Sequence, residues 1–426
     1  MKQVIKSIVL YSILILVSLL VAIGLLVTLE LGYRKVVKAP TGWMIDLALF
    51  WYQPFVVTTI RPNLVLGNST NPLEVAFRHT DCDEEGGITC RINSRGFRSP
   101  EFDNLPPKRA DEFRIVITGA STAQSWNIGE KCTMDRQLVR ILEPLFPELD
   151  IQIYNLAGPA WKSIQELIGI IIYGIDIDPD LVIAYDGFND VNHSFSYPIN
   201  TPIGNWHMFA AGKYEVWLTG GIRAFFNEFK ILHDAKRIMA TQLAQVDKTE
   251  QYPQFAEKPE SGHLATRLDS VPVDLEAIAA RTDFDPYNRE VVDNYLKNIR
   301  TMAQILSMID AHLIVALSPS IYTKNPLSPE EEKKLRQFYV AETNFCAQGY
   351  VRIREGMQKI STTTPNIRFD DLSLVVNDER RLMSDNGHLT PLGTEMVSAH
   401  LTETIAQLIR EVKPAQGLPS KATGKK

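Results

Sequence analysis

Three short apolar runs, each halted by a glycine-containing turn, limit most strongly what this 426-residue chain can fold into. The first, Phe113-Arg114-Ile115-Val116-Ile117-Thr118, is rich in β-branched residues and stops at Gly119. The second, beginning Ile153-Tyr154-Asn155, runs into the loop Ala157-Gly158-Pro159, and the third, Leu181-Val182-Ile183-Ala184-Tyr185, into Asp186-Gly187-Phe188-Asn189-Asp190. Runs of this length bounded by turn residues read as buried strands. After the first strand the pattern changes, and Met134 to Leu142 carries apolar residues at helical spacing. Further on, Tyr287 to Met308 and Thr390 to Ile409 read as helices, with Pro391 near the start of the latter. His312 to Ser318 and Asn366 to Asp371 read as additional strands. Strand ends in an open α/β sheet converge on one crevice, so residues from three separate loops can meet there.

The loop residues supply a chemistry for that crevice. Ser121 follows the first strand, where unpaired backbone N–H groups suit a nucleophile whose attack generates an oxyanion. Far downstream, Ser384-Asp385-Asn386-Gly387-His388-Leu389-Thr390 carries an aspartate and a histidine three residues apart, so one turn can hold both. A serine is a poor nucleophile until a base takes its proton, which would be the task of His388. Asp385 would hold the imidazole tautomer and stabilise the imidazolium. Gly158 can offer a backbone N–H, and Asn189 a side-chain amide, to the oxyanion beside the Ser121 N–H. Taken singly, each of these also fits an ordinary turn role. Asp190 is expected to stabilise the loop around Asn189, and Asp370 or Asp371 is the alternative acid if Asp385 is badly placed. The histidines at 79, 193, 207, 233, 263, 312 and 400 lack the paired context of His388 and read as surface or packing residues, although His193 and His207 lie near enough in sequence to approach the cleft.

In this order Ser121, Gly158, Asn189 and His388 resemble the four blocks of the SGNH/GDSL hydrolase superfamily, over roughly residues 113–411. The chain looks most similar to a bacterial membrane-associated branch with a Gly-Gly-Ser-Thr first block and an upstream Asn-Ser-x-Gly-Phe-Arg segment. Here that segment is Asn93-Ser94-Arg95-Gly96-Phe97-Arg98, and Ala120 stands where the first block usually has Gly or Asp. The resemblance implies a three-layer α/β/α domain with a parallel sheet, a Ser121-His388-Asp385 triad, and ester hydrolysis or acyl transfer without a cofactor. The expected substrate is a small acyl ester or an O-acylated glycan of the cell envelope. Two other readings stand beside it. One is an envelope polysaccharide O-acetyltransferase supplied with acyl groups by a partner membrane protein. The other is an idle hydrolase fold that binds glycan or scaffolds an assembly.

From Ile8 to Leu29 no residue is charged, and about 20 such residues span a hydrocarbon core. A cleaved signal sequence would have a shorter apolar stretch and a small-x-small site, which Leu26-Val27-Thr28-Leu29-Glu30 does not offer. One N-terminal transmembrane helix is therefore expected within residues 1–38, with the large domain on the extracytoplasmic side. Residues 39–110 form a juxtamembrane region in which Trp43, Trp51 and Tyr52 suit either a membrane interface or packing. The catalytic domain is expected over 111–412. It contains an insertion at 193–286 with the character of a lid, and a short disordered tail follows at 413–426. Cys82 and Cys90 can close a local disulfide around Asp83-Glu84-Glu85-Gly86-Gly87, the alternative being that all four cysteines are free; Cys132 and Cys346 read as buried thiols. No Cys/His cluster has metal-ligand spacing. A net charge of -6 and the lack of a basic stripe argue against nucleic-acid binding.

Overall fold

A computed structural model describes residues 50–53, 56–67, 82, 88–126, 128–196 and 285–413, together with residues 17, 18, 24, 25 and 28. Two antiparallel pairs come first in the chain. β1 (Phe50–Gln53) pairs with β2 (Val57–Ile60), and β3 (Val65–Gly67) pairs with β4 (Ile88–Arg91).

The central sheet starts at β5 (Glu112–Gly119), all of whose residues are buried. Burial on both faces explains why its sequence is a continuous apolar run and not an alternation. The chain then runs through α1 (Met134–Leu145), β6 (Asp150–Asn155), α2 (Ser163–Gly169), β7 (Leu181–Asp186) and α3 (Phe188–Ser196). It resumes with α4 (Asp285–Ser307), β8 (His312–Leu317), α5 (Pro329–Leu335), α6 (Val340–Thr363), β9 (Ile367–Asp370) and α7 (Pro391–Val412). Five strands form one sheet in the order β6-β5-β7-β8-β9, and all neighbours are parallel. The expected strands and helices are each present, with ends displaced by a few residues at most.

The two sheet faces are covered by different helices. On one, Phe113, Ile115, Ile117, Ile151, Ile153, Ile183 and Ile314 meet Met134, Leu138 and Leu142 of α1 and Val397, Leu401, Ile405 and Ile409 of α7. On the other, α4 and α6 pack on each other and on β8 and β9, with α2 and α3 beside α4. This is a three-layer α/β/α arrangement. Strand order reverses direction at β5, the first strand, with β6 on one side and β7 on the other. That is the position at which an open α/β sheet leaves a crevice at its strand ends.

One expectation is corrected. The disulfide is Cys82–Cys132, closing a separation of 50 residues, while Cys90 is a buried free thiol in β4 opposite Leu66. Strand pairing points the Cys90 side chain into the core, where burial raises its thiol to about 11. Gly129, with no side chain, lets the Cys132 segment approach Cys82, since a Cβ there would lie 2.5 Å from the Cys82 carbonyl oxygen. Ser121 follows β5, and the first α-helix of the sheet domain begins only at Met134. Ser121 begins a hydrogen-bonded turn in which Gln124 N–H donates to the Ala120 carbonyl and Trp126 N–H to the Ser121 carbonyl. Ser125 then adopts a left-handed φ of 57°, which ends the turn before α1 can form.

Among the described residues no helix is long and apolar enough to cross a membrane. The expected anchor within 1–38 lies outside them except for five residues, as do residues 197–284 of the insertion and the tail beyond Lys413.

Candidate active site

β5 delivers Ser121 to the end of the sheet. Gly119 is required two residues earlier, because a Cβ there would sit 2.4 Å from the Tyr185 carbonyl oxygen of the adjacent β7. The His388 loop is built locally. Met383 and Leu389 form an antiparallel bridge, and Ser384 N–H donates to the His388 carbonyl at 2.7 Å. Within this closed turn the Asp385 carboxylate accepts the backbone N–H of Gly387 (2.9 Å) and of His388 (2.8 Å). Gly387 faces the Phe188 ring so closely that a Cβ would come within 2.5 Å of it.

The loop and the serine, 267 positions apart in sequence, meet directly. His388 Nε2 lies 2.9 Å from Ser121 Oγ, and His388 Nδ1 lies 2.8 and 2.9 Å from the two Asp385 oxygens. An ionised carboxylate only accepts, so Nδ1 carries the proton and Nε2 is left to accept from the Ser121 hydroxyl. Burial works to raise the Asp385 carboxyl, but its hydrogen bond to His388, the imidazole charge and the two backbone N–H groups outweigh it and hold the group at about 2. The ring is therefore fixed in the one tautomer that can take a proton from serine. The alternative acids are engaged elsewhere: Asp370 accepts from Thr404 and contacts His400, and Asp371 pairs with Arg354.

The three expected oxyanion donors lie on adjacent strand ends but are differently disposed. The Ser121 N–H makes no hydrogen bond among the described residues. Asn189, in the first turn of α3, donates one amide proton to the Trp161 carbonyl at 2.8 Å, leaving its second amide proton for another acceptor. The Gly158 N–H is not free, because it donates to the Gly119 carbonyl at 3.1 Å and so extends the β5–β6 ladder into the loop. Gly158 is constrained for a second reason: a Cβ there would fall 2.0 Å from the indole of Trp161.

Of the charged residues behind the site, only Asp190 stands out in the sequence. Asp190 accepts from the Ser163 N–H and, at 2.6 Å, from the Ser163 hydroxyl, tying α3 to α2. Beneath them lie the buried carboxyls of Glu166 and Asp186, and Tyr295 donates to Asp186 at 2.7 Å. Burial raises both carboxyls, and no donor among the described residues reaches either Glu166 oxygen or Asp186 Oδ2. A proton shared between the two acids would join one oxygen of Glu166 to one of Asp186. A carboxyl raised in the folded chain contributes stability that is complete below its unfolded value, about 4.3 for Glu, and lost as pH rises through the folded value. Glu166→Gln, which has no charge to titrate, should therefore gain stability relative to wild type as pH rises from about 5 to 9. Melting temperatures of the two proteins across that range test this, and a constant difference would refute the shared proton.

Two buried ion pairs frame the Ser121 and His388 loops. Arg98 and Glu130 contact at 3.1 Å beside the Ser121 turn, and Lys324 and Glu331 at 2.6 Å beside the His388 loop. The Asn93-to-Arg98 motif drew attention to Arg98 in the sequence, whereas nothing there distinguished Lys324 from a solvated lysine.

No family model matches the chain, and no curated protein matches it. Several solved structures align with the chain at low similarity. An acetyl xylan esterase, AlAXEase, aligns at 12% identity over 69% of this chain and 100% of its own, with a TM-score of 0.37. A GDSL-like lipase from Bacteroides thetaiotaomicron aligns at 14% identity over 71% and 93%, with a TM-score of 0.34. TesA aligns at 9% identity over 69% and 99%, with a TM-score of 0.35.

Proposed function

We propose that this chain is a serine hydrolase of acyl esters, anchored to a membrane by residues 8–29 and acting through Ser121, His388 and Asp385. One observation carries the reading: Ser121 Oγ, the His388 ring and the Asp385 carboxylate form a continuous hydrogen-bonded series at the strand ends of a parallel sheet. His388 Nε2 takes the Ser121 proton as Oγ attacks the ester carbonyl carbon. The tetrahedral oxyanion accepts from the Ser121 N–H and the second Asn189 amide proton. Gly158 joins them if the oxyanion competes with the Gly119 carbonyl for its N–H. Collapse expels the alcohol, which takes the proton from His388, and leaves Ser121 acylated. His388 then deprotonates water, whose attack releases the acid. Oxyanion donors of this kind are each worth roughly 3–4 kcal/mol of barrier.

The substrate class we favour is a small acyl ester on a glycan of the cell envelope. The uncharged N-terminal run supports a position at the membrane, and the family resemblance of the four blocks supports ester chemistry. The test uses the full chain in detergent, comparing wild type with Ser121→Ala. Wild type should be labelled by a fluorophosphonate and should hydrolyse a short-chain nitrophenyl ester, and both signals should vanish in the variant. Labelling without hydrolysis would redirect the reading to acyl transfer onto a sugar hydroxyl. Neither signal, in a folded protein, would overturn it in favour of a binding or scaffold role.

A further inference from the structure

The segment Asn93–Ser99 precedes the first strand of the catalytic sheet and has no part in the chemistry above. Its shape is set internally. The Asn93 side-chain oxygen accepts the N–H of Arg95 (3.0 Å) and of Phe97 (2.9 Å), and its amide donates to the Pro100 carbonyl. Gly96 adopts a φ of +89°, and a Cβ there would lie 2.4 Å from the Ile60 carbonyl oxygen. This fixed loop presents three consecutive side chains, and each reaches a different part of the candidate active site.

Arg98 is buried and donates to the carbonyls of Ser125 (3.0 Å) and Ile128 (2.9 Å), with Glu130 completing the contact at 3.1 Å. It thereby grips the turn that begins with Ser121. Ser99 Oγ accepts the N–H of Asn155 at 3.1 Å, at the end of β6 where the Gly158 loop departs. Asn155 in turn donates to the Ala123 carbonyl, coupling that loop to the serine turn. Phe97 packs edge-on against Trp161, with ring centres 5.9 Å apart. The Trp161 indole lies under Gly158, and its carbonyl accepts from the Asn189 amide. Three adjacent side chains thus end on the loops of Ser121, Gly158 and Asn189.

We infer that Asn93–Ser99 is a positioning element for the oxyanion site, which holds the Ser121, Gly158 and Asn189 loops in register with one another. The inference rests on the reading of Ser121 as nucleophile. An arginine is suited to this task because its planar fork serves several carbonyls in fixed directions, which a lysine ammonium does not. Since donors must meet the oxygen where it develops, a displacement near 1 Å can cost about 100-fold in rate. Such a displacement weakens the transition state and leaves ground-state binding nearly as it was.

The experiment measures kcat, KM and inhibition by phenylboronic acid, which forms a tetrahedral adduct on an activated serine, for the full chain in detergent. Arg98→Lys and Ser99→Ala should each lower kcat by roughly 10- to 100-fold with KM within about threefold. Affinity for the boronic acid should fall in parallel with kcat. Arg368→Met, which removes an arginine paired with Glu411 far from this segment, is the control and should retain activity. If Arg98→Lys does not fold, Ser99→Ala alone decides. A folded Ser99→Ala or Arg98→Lys protein with unchanged kcat and boronic-acid affinity would overturn the inference while wild-type turnover upheld the hydrolase. An inactive, unlabelled wild type would instead overturn the hydrolase reading itself.

Discussion

His388→Ala should lower kcat by about 10⁴- to 10⁶-fold and abolish fluorophosphonate labelling of Ser121. The imidazole is the only group within hydrogen-bond distance of the serine hydroxyl among the described residues, at 2.9 Å. Removing it leaves an ordinary alcohol with no base to accept its proton. The loop should survive the change, because its closing contacts involve the backbone of His388 and not the ring. Asp385→Asn makes a sharper companion. The amide oxygen can still accept the N–H groups of Gly387 and His388, so the turn is kept. The amide nitrogen, however, donates toward Nδ1, moves the ring proton to Nε2, and turns that nitrogen away from its role as base. A loss near 10⁴-fold in kcat is expected for such a tautomer change. Stopped assays of ester hydrolysis and probe labelling on all three proteins measure this directly. Activity within tenfold of wild type in His388→Ala would rule out the proposed base.

Lys324→Met should be the most destabilising single change, by about 3–5 kcal/mol, with a fall in Tm of roughly 6–20 °C. Both members of the Lys324–Glu331 pair are fully buried. The Lys324 ammonium also donates to the carbonyls of Pro326, Asp378 and Arg380. The Glu331 carboxylate accepts the N–H of Ser328, Leu382 and Met383; burial works to raise it, but the bond from Lys324 and these N–H groups lower it below its ordinary value. Removing the lysine leaves three carbonyls and a buried carboxylate without their shared cation. The affected segment, Leu382–Met383, is the base of the His388 turn, so activity should fall alongside stability. Replacing Glu331 by Leu in the same protein should recover part of the loss, because the buried charge is then gone. Recovery should stay incomplete, since the N–H groups of Leu382 and Met383 would have no acceptor. Thermal unfolding of the single and double variants in detergent gives the comparison, and a Tm drop below about 3 °C for Lys324→Met would contradict the account.

The parts of the fold that were legible from residues alone are those set by local chemistry. Strands at 112–119, 181–186 and 312–317 are visible because burial on both faces demands an unbroken apolar run. The closing helix at 391–412 is visible because Thr390 and Pro391 mark its start, with Thr390 accepting the Gly393 N–H. Asp385 and His388 were legible for the same reason: three residues of separation suffice for the carboxylate to order its own turn and orient the ring.

Tertiary structure decided what depends on partners remote in the chain. It paired Cys82 with Cys132 and not with Cys90, because the alternation of β4 turns Cys90 into the core. It committed the Gly158 N–H to the Gly119 carbonyl, a bond from the loop after β6 to the end of β5 that no local pattern encodes. It also buried Arg98, Glu166, Lys324 and Glu331, whose residue types ordinarily signal surface. A periodic apolar pattern records which way a side chain points relative to its own element. The partner that makes a buried charge tolerable is chosen by the packing of distant elements, and only the folded chain contains it.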